Sequence, residues 1–281
     1  MREMKEKGMH AVFFMTACLS IIAVLLICIF LFSNGIPAIA KIGWMDFIFG
    51  RVWRPNNQLF GIFPMIIGSI YVTAGALLIG VPIGVTTAIF MAKFCPKPLY
   101  PLFKRTINLM AGIPSVVYGF FGLVVLVPFV RNQLGGFGMS VLTASLLLGL
   151  MILPTIITIS ESSIRAVADS YYEGGIALGA SHERSVFFIV LRGAKRGILA
   201  SIILGIGRAI GETMAVIMVA GNQAVIPASL TSGVRTLTTN IVLEMGYSTD
   251  LHREALIGTA VVLFVFILMI NLSFAVMNKG D

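Results

Sequence analysis

Charge is scarce in this sequence. Only 11% of its 281 residues are Asp, Glu, Lys or Arg, against about 25% in an ordinary soluble domain. So few charges cannot coat a water-exposed globule. With 58% hydrophobic residues and a mean hydropathy of +0.98, the composition is that of an integral membrane protein. Cysteine is scarce too. Cys18 and Cys28 fall in the first apolar stretch and Cys95 lies between Lys93 and Lys97. None has metal-ligand spacing, and an odd count gives no disulfide framework, so all three read as free thiols used in packing. The three histidines, His10, His182 and His252, are scattered, which excludes a histidine metal motif. No Gly-Lys pair occurs anywhere, so ATP cannot be held here by a P-loop. The run Gly205-x-Gly207-x-x-x-Gly211 has the wrong spacing for a dinucleotide fingerprint and sits in an apolar run rather than after a strand. No nucleophile is paired with a base.

What is present is hydrophobic length. Six stretches are long enough to cross a bilayer: residues 11–32, 64–92, 107–130, 141–160, 198–220 and 255–277. A span needs about 20 apolar residues, and helices are the default because open sheet edges go unsatisfied in lipid. The first stretch follows Arg2, Lys5 and Lys7, and Ala38-Ile39-Ala40 resembles a signal-peptidase site. Its uncharged run exceeds the usual signal-peptide core of about 7–15 residues, which favours a retained anchor over a cleaved leader.

The +8 net charge has a geometric explanation that needs no nucleic acid. With the N-terminus inside, thirteen of the 20 Lys and Arg fall on cytoplasmic segments. These include Arg2, Lys5, Lys7, the 93–105 cluster, the 165–196 cluster and Lys279. Six fall outside: Lys41, Arg51, Arg54, Arg131, Arg235 and Arg253. This bias puts both termini in the cytoplasm. The segment 64–92 carries Gly68, Gly75, Gly80, Pro82 and Gly84. That pattern fits either close helix packing or a flexible wall, with Pro82 expected to bend or break the helix. Gly112-Ile113-Pro114-Ser115 repeats the character.

Between residues 161 and 197 lies the one extended polar stretch between spans. It reads as two short helices around a turn, the second capped by Ser181 and running from His182 to about Arg192. Physics alone leaves two readings, a docking surface for a cytoplasmic partner or an amphipathic loop on headgroups. Glu173, Gly179 six later, Ile189 sixteen later and Leu191 eighteen later resemble the EAA loop of ABC-importer permeases. Two alanines of that pattern are Gly174 and Gly175 here, which weakens the first helix by ~1 kcal/mol per position, and its proline is Arg192. The stretch 111–122, AGIPSVVYGFFG, looks like phosphate-specific permeases, and 207–216, GRAIGETMAV, looks like their C-type subunit.

This resemblance covers about residues 66–277. It implies an all-α, type I (MetI-like) importer fold with six transmembrane helices in the cell membrane of a bacterium or archaeon. Residues 1–63 form an N-terminal helix and extracytoplasmic segment, and 64–281 the permease domain. It also implies inorganic phosphate as substrate, delivered by an extracytoplasmic binding protein. The implied partners are an A-type permease subunit and a cytoplasmic ATPase dimer that holds ATP and magnesium. This chain itself binds no cofactor or metal and is no enzyme. Glu173, Gly179, Ile189 and Leu191 carry the ATPase coupling.

Within 198–220 stand two opposite charges, Arg208 and Glu212. On one helix, Arg208 lies ~15 Å in, near the middle of a layer ~30 Å thick. A central arginine costs ~2.5–3.5 kcal/mol on insertion scales and normally faces a cavity or a partner. At helical spacing Ser201, Gly205, Arg208, Gly211, Glu212 and Ala215 share one mostly small stripe. The alternatives are a permanent salt bridge to a neighbouring helix and a substrate path. In the path reading Arg208 presents a guanidinium fork to phosphate oxygens, Glu212 neutralises it when the path is empty and accepts a P–OH hydrogen bond, and Ser201 and Thr213 line the same route. The rival functions are a permease for another anion or solute, a proton-coupled secondary transporter using the pair as a relay, and a membrane sensor without flux.

Overall fold

The computed structural model describes residues 2–277, with side chains at 9, 10 and 12–273. Lys279 lies outside the described residues, as do the side chains of Arg2, Lys5 and Lys7. The chain is almost entirely helical. α1 (Arg2–Ile42) leads through α2 (Trp44–Phe49) to a two-stranded hairpin, β1 (Trp53–Arg54) and β2 (Leu59–Phe60). α3 (Phe63–Ile89) ends in a π-helical turn over Phe90–Phe94. α4 (Tyr100–Gly112) and α5 (Ser115–Phe121) follow, the latter running through a π turn into α6 (Val127–Leu134). α7 (Val141–Arg165) is next, then α8 (Asp169–Ala177) and α9 (His182–Ser185). α10 (Leu191–Gly211), α11 (Met214–Val219), α12 (Leu237–Met245) and α13 (Asp250–Met277) complete the fold.

Among the described residues five helices are long and apolar enough to cross a membrane: Val12–Ile42, Phe63–Phe94, Ser115–Leu134, Val141–Arg165 and Asp250–Ser273. α7 is the central one. Leu147, Leu148, Met151, Ile152 and Ile156 are each no more than 2% exposed, and they pack against α3 on one side and α10 on the other. α1 lies instead along α13, its outer surface apolar and exposed as lipid contact requires. Ala38 and Ile39 are buried within that continuous helix. Pro82 does not break α3; the Thr86 hydroxyl donates to its carbonyl at 2.7 Å.

Two expected spans are interrupted. The stretch 107–130 breaks at Ile113 and Pro114, whose backbones are extended (ψ 125° and 144°). Proline has no N–H for the helical ladder and pushes the preceding residue out of the helical region. Tyr118 reaches back across the break and donates to the Met110 carbonyl at 3.0 Å. The stretch 198–220 breaks at Glu212 (ψ 134°) and Thr213 (φ −126°). Here a side chain competes with the ladder. Glu212 Oε1 accepts from the Thr213 and Ala215 amides at 3.1 and 3.2 Å, satisfying donors of the first turn of α11. The Thr238 hydroxyl holds the Glu212 carbonyl at 3.0 Å. α5 packs against α11, so the second halves of both broken helices form a pair.

Polar side chains collect at two ends, as the charge count requires. At one end the buried Glu161 accepts from Lys104 Nζ and Arg165 Nε, each at 2.6 Å, and from the Tyr100 hydroxyl at 2.7 Å. Donating to that carboxylate holds the Tyr100 hydroxyl above its ordinary pKa, with burial second. Arg165 also donates to the Met91 carbonyl, which ties α7, α4 and the end of α3 together. At the other end Glu244 accepts from Arg235 at 2.6 Å and from the Trp53 indole at 2.8 Å, with His252 at 2.9 Å. That cluster joins the β hairpin to α12 and α13.

Candidate functional site

Arg208 lies in the last turn of α10, half-buried, and its Nη1 donates to Thr155 Oγ1 on α7 at 3.1 Å. Two glycines mark open space beside it. A methyl group added at Gly207 or at Gly211 would meet nothing within 4 Å. One turn before it in α10, Gly205 lies against Ile152 and Ile156 of α7. The guanidinium is therefore held at the edge of a packed helix pair, next to two α10 positions with room for a side chain, just before the helix breaks.

The other expected path residues fall in different places. Among the described residues no ion pair joins Arg208 to Glu212. The chain leaves the helix at Gly211, so Glu212 does not sit one turn above Arg208, and its carboxylate turns to the α11 amides instead. The expected neutralisation of Arg208 by Glu212 is not made. Glu212 is half-buried at the break itself, with one oxygen engaged as a cap. Thr213 shares the break, its hydroxyl donating to the Gly211 carbonyl at 3.2 Å. Ser201 is fully buried. Its oxygen lies 2.8 Å from Ser160 on α7 and donates to the Ile198 carbonyl at 2.7 Å, so it faces the helix interface rather than open space. Thr155 escaped the sequence reading. It is one of several hydroxyls in an apolar run, and nothing in the spacing marks it as the partner of a residue 53 positions away.

The coupling loop keeps its two helical pieces but joins them differently. α8 ends at a turn where Gly179 takes φ +85°, a left-handed backbone that favours glycine. Ser181 caps α9 by accepting from the Arg184 amide at 3.3 Å. From there the helix does not stop near Arg192. It continues through a π turn over Val186–Val190 directly into α10, so the loop and the Arg208 helix are one rod. Gly193 and Gly197 are close-approach positions: an added methyl at the first would press on Val167 and at the second on Ser163. Gly175 has the same role inside the loop, because its methyl would fall 2.7 Å from both Ile189 Cδ1 and Ser185 Oγ. The neighbouring Gly174 has nothing within 4 Å.

The four loop residues divide by exposure. Ile189 and Leu191 are half-buried, while Glu173 and Gly179 are exposed. A groove of about 530 Å³ runs beside them, lined by Ser163, Ala166, Tyr171, Phe188, Ile189 and Arg192. Leu178, at the tip, is 91% exposed. The loop thus turns apolar side chains outward, as a face covered by protein or by lipid would. Arg192, where the familiar pattern has proline, donates its amide to an unbroken helix and lines the groove.

Comparison with known proteins bears on this arrangement. Residues 80–280 match the family described as binding-protein-dependent transport system inner membrane component. The chain is 37% identical over 269 residues to the probable ABC transporter permease protein YqgH of Bacillus subtilis (strain 168), covering 91% of this chain and 87% of that one. It is 32% identical over 265 residues to the phosphate transport system permease protein PstC of Mesorhizobium japonicum, with 87% and 81% covered. The probable phosphate transport system permease protein PstC of Methanocaldococcus jannaschii is 31% identical over 267 residues, with 86% and 84% covered. Among solved structures, a bacterial ABC transporter involved in the import of the acidic polysaccharide alginate matches with a TM-score of 0.63 at 13% identity, over 95% of this chain and 96% of that one. The inward-facing MetNI methionine ABC transporter matches with a TM-score of 0.59 at 18% identity, over 82% and 99%. At those identities the structural likeness carries the fold, which is that of the type I importers.

Proposed function

The chain belongs to the binding-protein-dependent transport system inner membrane components, and on that premise we propose that it is the C-type permease subunit of an ATP-driven importer of inorganic phosphate. As an ABC importer permease it is a multi-pass membrane component and not a catalytic enzyme. In our reading ATP is hydrolysed by a separate pair of ATPase chains docked on the 161–197 loop. An A-type permease faces Arg208 across the open side marked by Gly207 and Gly211. Phosphate arrives from an extracytoplasmic binding protein.

The observation that carries this reading is a half-buried arginine at a helix break, without a carboxylate partner among the described residues, beside open space. A guanidinium so placed offers planar, paired donors to an oxyanion. Leaving it unpaired costs less where a passing anion can take the carboxylate's place. Glu212 keeps a secondary role: its oxygen not used in capping is positioned at the break to meet a protonated oxygen of hydrogen phosphate. Sulfate lacks that proton and would meet like charge only. Ser201, committed to Ser160, drops out of the path.

The phosphate permeases among the relatives support the substrate. A permease for a different anion remains the second reading, because the B. subtilis relative at 37% identity carries no substrate in its name. Purifying the tagged chain from its native membrane and identifying its companions tests the assignment. The expected result is a second permease with an ATPase, whose ATP hydrolysis rises with a phosphate-loaded binding protein. A complex stimulated by another loaded binding protein, and not by the phosphate one, refutes the substrate.

A further inference from the structure

Threonine and serine inside a spanning helix usually spend their proton on the carbonyl one turn back. Thr16, Thr86, Thr87 and Thr259 do so here, at 2.7–3.1 Å, while Thr73 and Thr158 make no such bond. Nor does Thr155. Its oxygen accepts from Arg208 Nη1 at 3.1 Å, and among the described residues its proton has no acceptor. It is also half-exposed in a helix where both flanking residues, Pro154 and Ile156, are buried. A hydroxyl can accept from one group while donating to another. One turn of α7 thus offers an O–H donor beside the guanidinium that α10 offers.

We infer that Thr155 is a substrate-contact residue: it holds Arg208 from one side and donates its own proton to the oxyanion that Arg208 attracts. This rests on the reading of Arg208 as a path residue and adds a second donor from a different helix. Two donors on separate helices also make the seat sensitive to how α7 and α10 lie against each other. An anion would be gripped when the helices are aligned and released when the coupling loop moves the α10 rod along α7.

The test uses the complete transporter in vesicles, with radiolabelled phosphate and loaded binding protein. Thr155→Val keeps the shape and removes the hydroxyl. Phosphate delivered per ATP hydrolysed should fall about tenfold, the size of one hydrogen bond to a charged group. Thr155→Ser should restore it to within about twofold, since the donor is kept. Thr155→Ala serves if the valine variant does not assemble, with the same expected fall. Wild-type delivery per ATP in Thr155→Val or Thr155→Ala overturns the inference. So does an equal fall in the serine variant, which would make Thr155 a packing residue. Arg208→Gln run in parallel separates the two levels. If it stops uptake while Thr155→Val does not, only the role of Thr155 fails; if it transports normally, the path reading itself fails.

Discussion

Glu212 caps α11 and, in the proposed path, also selects hydrogen phosphate; two substitutions pull these roles apart. Its carboxylate accepts from the Thr213 and Ala215 amides at 3.1 and 3.2 Å, which starts α11 and fixes the break behind Arg208. Glu212→Ala removes the acceptor. Losing a helix cap costs about 0.5–2 kcal/mol. The value here belongs near the upper end, because two amides at a half-buried break lose their partner. Glu212→Gln keeps a carbonyl oxygen in the same place and removes only the charge, so about 0.5 kcal/mol or less should be lost. The stability half is read as the thermal midpoint of the detergent-purified complex, with the alanine variant well below the glutamine one. The transport half is read as the phosphate-to-sulfate uptake ratio in vesicles, which should narrow in Glu212→Gln. Equal melting of the two variants refutes the cap, and an unchanged ratio in the glutamine variant refutes the selectivity role.

Three further outcomes follow from the packing. Glu161→Ala should lower stability by about 3 kcal/mol, at the low end for breaking a buried ion pair, because Lys104 and Arg165 are 30% and 44% exposed and regain water; a melt of the purified complex checks it. Gly179→Val forces a bulky side chain into a φ of +85°, where a branched residue is strained by about 1–2 kcal/mol. It should reduce ATP-driven uptake while the ATPase still co-purifies, with Gly179→Asn milder. Gly174→Ala should stabilise α8 by up to about 1 kcal/mol, whereas Gly175→Leu should destabilise by about 1–3 kcal/mol against Ile189 and Ser185; opposite signs in chemical denaturation are the check.

Much of this fold was legible as hydrophobic length. The spans that became α3, α7 and α13 were visible because an uncharged apolar run of that size has few other uses. The two helical pieces of the 161–197 loop were legible through its turn and its Ser181 cap. The breaks were not. Pro114 sits inside a continuous apolar run, and hydropathy does not register a missing N–H. Glu212 was four residues from Arg208, so helical periodicity put both on one stripe. What decided otherwise was a carboxylate reaching the amides of the next turn, a local competition that periodicity does not see. The close approach at Gly193 and Gly197 was hidden because sequence shows a small residue but not the Val167 and Ser163 side chains pressed against it. Thr155 was hidden for a related reason: its significance lies in the bond it does not make within its own helix.

The continuous rod from α9 into α10 joins these parts. No break other than one π turn separates α9 from Arg208, so in the proposed mechanism displacement of the loop passes straight along the helix. The most direct test is uptake of radiolabelled phosphate into vesicles holding the assembled complex with Arg208→Gln. The account predicts that uptake is lost in a complex that still co-purifies with its partners; phosphate uptake at the wild-type rate would contradict it.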